Sequence, residues 1–463
     1  MKRIILSSYI ILGIIALCYK PMTTSAQTVN SLYFLEKTPF HTQWNPAMAP
    51  SRSGMGLGIG NMSFSLQSDL ALNDVIFPGE NGQKPYTFLD PKADANAFLS
   101  GLGDVSSLKL NTSMDIFDLG IRILNNYFTL HSGIVFDAGI GIPKDLFKMI
   151  MVGMDENKSS TAFDLTGMNI NAMSYAKMGV GYSMKVGKLF SVGINANYLL
   201  GISDMRLGFD KLTVDAGQNE WNVTSNGYIQ MAAPNFAEFK YNKDGYFNGL
   251  NFDSNSLTSG SIPKSGSGFS IDLGVTAKPL SFLTLSAAII DLGSIKWDPT
   301  CVQRAESNGS FSYEGIALNE SAKENVSSES IQNLQEMVHF EKDNSFQGYT
   351  SKLTTKLNIG AEAGILNNKI SFGVLSQTGF AEKGSYQDVM LSANFKPASI
   401  FQGALTYSLL HGEMSALGAA INVKLPFLNF FMASDYIPLK VTPQFIPINN
   451  SYYNFQFGIN MMF

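Results

Sequence analysis

The sequence predicts an all-β chain, a transmembrane antiparallel β-barrel of about 14 strands, or 16 if one weaker hairpin joins the wall. Three observations carry this expectation. The chain opens with an export leader, many segments of about ten residues alternate apolar with polar, and the connections between them sort by length.

The opening "MKRIILSSYIILGIIALCYKPMTTSAQT" begins basic at Lys2 and Arg3, runs apolar from Ile4 to Leu17, and offers Thr24-Ser25-Ala26 before Gln27. That layout predicts a secretory signal peptide over 1–26, cleaved after Ala26. The apolar run is too short for a spanning helix, which needs ~20 residues. Cys18 does not mark a lipoprotein site, because Leu17 stands where a small residue is required. The mature chain then keeps Cys301 alone, which excludes an intrachain disulfide. Loss of Lys2, Arg3 and Lys20 takes the formal net charge from -5 to -8. An acidic exported chain is a poor partner for nucleic acid or for anionic lipid surfaces.

The last segment, "YYNFQFGINMMF", shows the strand pattern most clearly. Tyr453, Phe455, Phe457, Ile459, Met461 and Phe463 share one face, and Asn454, Gln456, Gly458 and Asn460 the other. In "FSVGINANYLLGI", Phe190, Val192, Ile194, Ala196, Tyr198, Leu200 and Ile202 oppose Ser191, Gly193, Asn195 and Asn197. "AKMGVGYSMKV" sets Met178, Val180, Tyr182, Met184 and Val186 against Lys177, Gly179, Gly181, Ser183 and Lys185. A face of Lys, Ser, Asn and Gly suits a wet lumen, and the apolar face suits lipid. The same reading places strands near 55–66, 114–124, 127–140, 172–186, 190–202, 268–279, 283–297, 351–366, 369–378, 386–396, 401–411, 416–425, 428–435 and 453–463. A weaker hairpin at 206–231 would raise the number to 16.

Strand direction alternates in such a wall, so each connection is assigned to one end. With the last strand running toward the periplasm, the short turns at 426–427, 397–400, 367–368, 280–282, 187–189 and 125–126 all fall on the periplasmic side. The long connections 67–113, 141–171, 203–267, 298–350 and 436–452 all fall outside. Outer-membrane barrels show this asymmetry, and a random assignment would scatter it. The loop "CVQRAESNGSFSYEGIALNESAKENVSSES" is rich in Ser, Asn and Glu, and "IQNLQEMVHF" after it has the spacing of a short helix. A second helix is expected at 143–152, with its apolar face packed on the barrel mouth.

Two stretches carry a family likeness. Asn45-Pro46-Ala47, just ahead of the first strand, resembles the motif in the N-terminal hatch of FadL-type hydrophobic-compound transporters. "GFSIDLGVTAKPLSFLTLSAAIIDLGSIKW", with Asp272-Leu273-Gly274 and Asp291-Leu292-Gly293, resembles an uncharacterised outer-membrane family of Bacteroidota. That family is distantly similar to FadL-type barrels and to the secretion-associated PorV and PorP kinds. The resemblance implies a hatch over 27–54, a barrel over 55–463 and Gram-negative outer-membrane localisation. In the last strand, Phe463, with Met461 and Phe457, resembles the terminal signal read by the barrel assembly machinery.

Chemistry finds little purchase. Among four histidines, only His131 neighbours a serine, Ser132, and adjacent strand residues face opposite sides. No catalytic residues, cofactor or metal site are therefore expected, since no His, Cys and carboxylate cluster has ligand spacing. Asp272 and Asp291 would be costly facing lipid and are expected in a lumenal network with Lys or backbone. The glycines of "GMGLGIGN" lack the Lys and helix of a phosphate loop and read as tight barrel wall. Tyr33, Phe34, Trp44, Phe427, Phe430, Phe431 and Tyr436 are expected mostly as interfacial girdle. The leading functional expectation is binding or passage of small hydrophobic compounds, with outer-membrane lipid around the wall. The alternative is a non-transporting barrel that scaffolds a surface or secretion partner through its outer loops. A dry apolar pocket behind the hatch would favour the first, and a solidly packed lumen the second.

Overall fold

The structure, a computed structural model, describes residues 29–35, 39–50, 54–70, 75–77, 85–90, 92–155, 157–233, 237–253, 263–313, 338–382, 384–398, 400–410, 414–437 and 451–462. The leader 1–26, residues 331–337 of the first expected loop helix, and Phe463 lie outside these residues.

Fourteen strands form the wall: β1 (Gly54–Ser68), β2 (Val105–Ile123), β3 (Asn126–Pro143), β4 (Asn169–Val186), β5 (Phe190–Gly217), β6 (Gly266–Leu280), β7 (Leu283–Trp297), β8 (Thr355–Ile365), β9 (Ile370–Ala381), β10 (Gly384–Phe395), β11 (Phe401–Leu410), β12 (Met414–Lys424), β13 (Leu428–Ser434) and β14 (Ser451–Met462). Each pairs antiparallel with its sequence neighbour. The ring closes where β1 pairs with β14, Gly56 opposite Met462 and Ser68 opposite Ser451. Closure leaves no lipid-facing open edge, so the wall backbone bonds within the sheet. The 14 expected spans are these 14 strands.

The 16-strand alternative is corrected. The segment 206–231 adds no wall strands, because β5 runs unbroken for 28 residues. At ~3.3 Å per residue that is roughly 90 Å, far beyond the thickness of a bilayer. Trp221–Ala232 pairs with this protruding part of β5, and its other edge pairs with Val302–Tyr313. The stretch 351–366 is also interrupted. Thr350–Lys352 pairs with the end of β7, and the wall strand starts afresh at Thr355.

The protruding strands carry apolar residues that lipid cannot cover, and they bury them on one another. Phe163, Leu212, Val214, Val223, Phe239 and Phe340 belong to this outer core. Two helices complete the long-loop end: α1 (Ala95–Gly101), capped by Asp94, and α2 (Lys144–Met151). The second helix forms where expected, packing mainly on α1 with Ile142 of β3 beside it. Its Phe147 lies edge-on to Phe98 at 5.5 Å between ring centres.

Parity decides which way each wall residue points. Val180, Phe372, Leu405 and Met432 are exposed on the outside at 59%, 55%, 69% and 67%. Asn195, Asn197, Asn358, Gln377 and Asn394 are buried inside. An apolar band of this extent is stable against lipid and not against water. No helix among the described residues is long and apolar enough to cross a membrane. Leu405 sits in the middle of β11, so Leu405→Arg should destabilise the barrel by about 2–4 kcal/mol. Urea unfolding in lipid vesicles would show this, with Leu405→Phe close to wild type.

Candidate lumenal site

Residues 29–35 and 39–50 enter the lumen and touch wall strands on every side. Val29, Leu32, Tyr33, Phe34, Leu35 and Phe40 are at most 5% exposed. They pack on Leu375, Met390, Ala404, Ala420 and Phe431, small or apolar residues that interrupt the polar inner face of β9 to β13. This corrects the girdle expectation. Tyr33, Phe34, Trp44 and Phe431 turn inward, whereas Phe427 and Phe430 stay exposed on the barrel. Sequence parity could have placed Phe431, which alternates with outward Phe430 and Met432.

Polar bonds hold the segment at both ends. Asn30 N and Ser31 N donate to the two carboxylate oxygens of Asp435, at 2.6 and 2.8 Å. The Ser31 hydroxyl also bonds Asp435. Asn358 Nδ2 donates to the Trp44 carbonyl at 3.0 Å, and Gln43 Nε2 donates to Asp115 at 2.8 Å. Farther along, Arg122 Nε donates to the Pro50 carbonyl at 2.6 Å. Asp435 and Asp115 were not singled out by the sequence, since an isolated carboxylate in a strand carries no local signal of its partner.

Asn45, Pro46 and Ala47 form a turn against β5, β6 and β7. Asn45 Oδ1 accepts from Ala47 N at 2.9 Å, and Asn45 Nδ2 donates to the carbonyl of Ala287 at 3.2 Å. The turn lies so close to the wall that two glycines are required. A Cβ on Gly193 would stand 2.3 Å from the Pro46 carbonyl, and one on Gly274 would stand 2.1 Å from Asn45 Oδ1. At the other end of the chain, Phe457 and Met461 occupy β14, with Phe457 39% exposed on the outer face.

On the long-loop side of this segment lies a cavity of about 830 Å³, with Gln43 and Trp44 among its lining residues. Its charged lining is organised by a β-bulge. The register of β6 and β7 slips between Ile271 and Leu273, and Asp291 takes φ +58°, a left-handed conformation that Asp tolerates. The slip brings Asp272 and Asp291 together inside the lumen. Lys177 Nζ reaches Asp291 at 2.7 Å and Asp272 at 3.9 Å. Asp272 also accepts from Asp291 N at 2.8 Å and from Asn195 and Asn197, each at 3.2 Å. The two aspartates thus sit in the lumenal network expected of them. Higher in the lumen, Arg206 bonds Asp204 at 3.1 Å and Glu382 at 2.9 Å.

His131 Nε2 donates to Asn197 Oδ1 at 2.8 Å inside the lumen. Ser132 pairs instead with Met178, which is exposed on the outer face, so the adjacent pair is not brought together. Among the described residues no group of three or more His, Cys, Asp or Glu is placed to hold a metal. The lining also includes apolar side chains, Met173, Tyr175 and Ile290. It is therefore neither the dry apolar pocket nor the solid packing set out above, because the strands that flank it alternate charged residues with small and aromatic ones.

A closed ring of 14 antiparallel strands, apolar outside and polar inside, with residues 29–35 and 39–50 packed on its inner face, is an antiparallel β-barrel. The chain belongs to the Family of unknown function (DUF5723), whose pattern matches residues 46–435. No curated protein matches the chain. Among solved structures it is similar to a TodX monoaromatic hydrocarbon channel mutant, at TM-score 0.42 and 9% identity over 95% of each chain. It is also similar to a Pseudomonas aeruginosa FadL homologue, at TM-score 0.41 and 10% identity over 96% of this chain and 99% of that one. The P. putida toluene transporter TodX matches at TM-score 0.35 and 9% identity over 96% and 97%. Likeness this slight carries no argument, and the fold stands on its own strand pairing.

Proposed function

We propose that this protein is an outer-membrane barrel that admits a small compound to its lumen, with the segment 27–54 acting as the hatch. The observation that carries the reading is the position of the cavity directly on the long-loop side of Trp44, with the occluding segment as its floor. Entry from the long-loop end and a shift of the segment would give passage through the lumen. Lumenal groups beyond it favour water there: the side-chain amides of Asn429 and Asn460 are buried without a hydrogen-bond partner among the described residues. The Asn45-Pro46-Ala47 turn fixes the segment against β5 and β6 and is the natural pivot. The FadL-type resemblance implies a hydrophobic cargo, and Trp44, Met173, Tyr175 and Ile290 supply apolar contact for the body of such a compound. The leader 1–26 would direct export, and the terminal residues Phe457, Met461 and Phe463 would address the assembly machinery.

Uptake of a panel of hydrophobic compounds into vesicles tests this, comparing the intact protein with one lacking residues 27–53. Saturable quenching of Trp44 and faster, unsaturable flux after deletion are expected. Equal impermeability of both forms, with no quenching, would exclude passage. The second reading, a scaffold for a surface or secretion partner, draws on the outer β-layer with its own buried core around Phe163, Val214 and Phe340. Impermeability would move the weight to it.

A further inference from the structure

We propose that the ligand of the lumenal cavity is zwitterionic, its anionic end held by Lys356 and its cationic end by Asp137. This rests on the reading of the cavity as a ligand site and narrows its chemistry. Lys356, on β8, shares the inward face of Asn358 and lines the cavity. It has no hydrogen bond or ion pair to any described residue, whereas its neighbour Lys177 is held by Asp291 at 2.7 Å. An ammonium in a lumen without a counter-ion in contact is a receptor for an anion. Asp137 stands on β3, away around the ring, and lines the same cavity. Among the described residues, its one hydrogen bond from a side chain is the amide of Asn111, at 3.0 Å. Lys356 and Asp137 lie close enough to feel one another's field without contact as an ion pair; Asp291 acts more strongly on Lys356, and Lys109 also acts on Asp137.

The remaining charges favour this assignment over a simple anion or cation. Carboxylates outnumber cationic side chains on the lining, seven to five, so a free anion would meet net repulsion. A free cation would meet the unpaired Lys356. A molecule carrying both signs, with an apolar body against Trp44 and Ile290, finds a partner for each part.

The probes are the dipeptide Phe-Phe, its N-acetylated form, its C-terminal amide, and the doubly blocked neutral form, titrated calorimetrically against the intact protein in lipid nanodiscs. Phe-Phe should bind most tightly. Lys356→Met should weaken it about tenfold and abolish the preference over the amide. Asp137→Asn should weaken it similarly and abolish the preference over the N-acetylated form. Lys356→Arg should retain binding, which separates charge from misfolding. Equal binding of all four forms, or preferences unmoved by the two substitutions, would overturn the assignment. Hatch-dependent uptake of neutral hydrophobic compounds without binding of Phe-Phe would overturn it while leaving the proposed function standing. No binding together with no hatch-dependent uptake would remove both.

Discussion

Asp435→Ala should release the N-terminal segment from the lumen wall. The Asp435 carboxylate accepts from two backbone amides, Asn30 and Ser31, and from the Ser31 hydroxyl, in a site 1% exposed. Alanine leaves the two backbone amides buried without their acceptors, at about 1–3 kcal/mol for each that cannot relax toward water, while the Ser31 hydroxyl keeps Thr406 Oγ1 at 3.0 Å. Opening of residues 29–35 should therefore become favoured by about 3 kcal/mol, roughly a hundredfold in population. Hydrogen exchange at the Asn30 and Ser31 amides is the direct readout, and ion conductance in planar bilayers is the functional one. Asp435→Asn keeps one acceptor and should fall between alanine and wild type. Unchanged exchange in Asp435→Ala would mean that the apolar packing of Leu32, Tyr33 and Phe34 holds the segment unaided.

The double substitution Gly193→Val and Gly274→Val should displace the Asn45-Pro46-Ala47 turn while leaving the barrel closed. The added Cβ atoms would meet the Pro46 carbonyl at 2.3 Å and Asn45 Oδ1 at 2.1 Å. Most of the first obstruction is backbone, so no side-chain rotation relieves it, and overpacking of this kind costs about 1–3 kcal/mol per site. Valine itself suits a strand, so the wall should form. The expected result is a heat-resistant barrel with raised conductance. Gly139→Ala is the control, because its Cβ meets only Lys109 Cγ, at 3.7 Å. Native conductance in the double variant would show that the turn is not what closes the lumen.

The wall was legible because a strand's period is local. In β14 the alternation of Phe455 and Phe457 with Gln456 and Asn454 needs no knowledge of any partner, and lipid outside with water inside keeps that period strict on both faces. The protruding part of β5 left the number open between 14 and 16 for the same reason. Residues 206–217 alternate as a wall strand does, and only their pairing with Trp221–Ala232 above the barrel shows that they belong to an outer layer. The aromatics divided in the same way. Phe430 and Phe431 are neighbours of one chemical type, and it is their parity within β13 that sends one outward and the other against Phe40.

The candidate site was legible only in fragments. Asn45, Pro46 and Ala47 stood out by motif, and Asp272 and Asp291 by the cost of placing charge in lipid. Nothing local joins Asp435 to Asn30, separated by 405 positions, or sets Asp137 across a cavity from Lys356. The sequence by itself determined the barrel and which face of each strand meets lipid, because these follow from a two-residue period and connection lengths, while the choice of 14 strands over 16 waited on the pairing of 206–231. The tertiary structure alone decided what packs against the inner face and which lumenal charges stand in contact as ion pairs. Those depend on ring closure and on the β6–β7 register slip, which bring together residues that the chain keeps far apart.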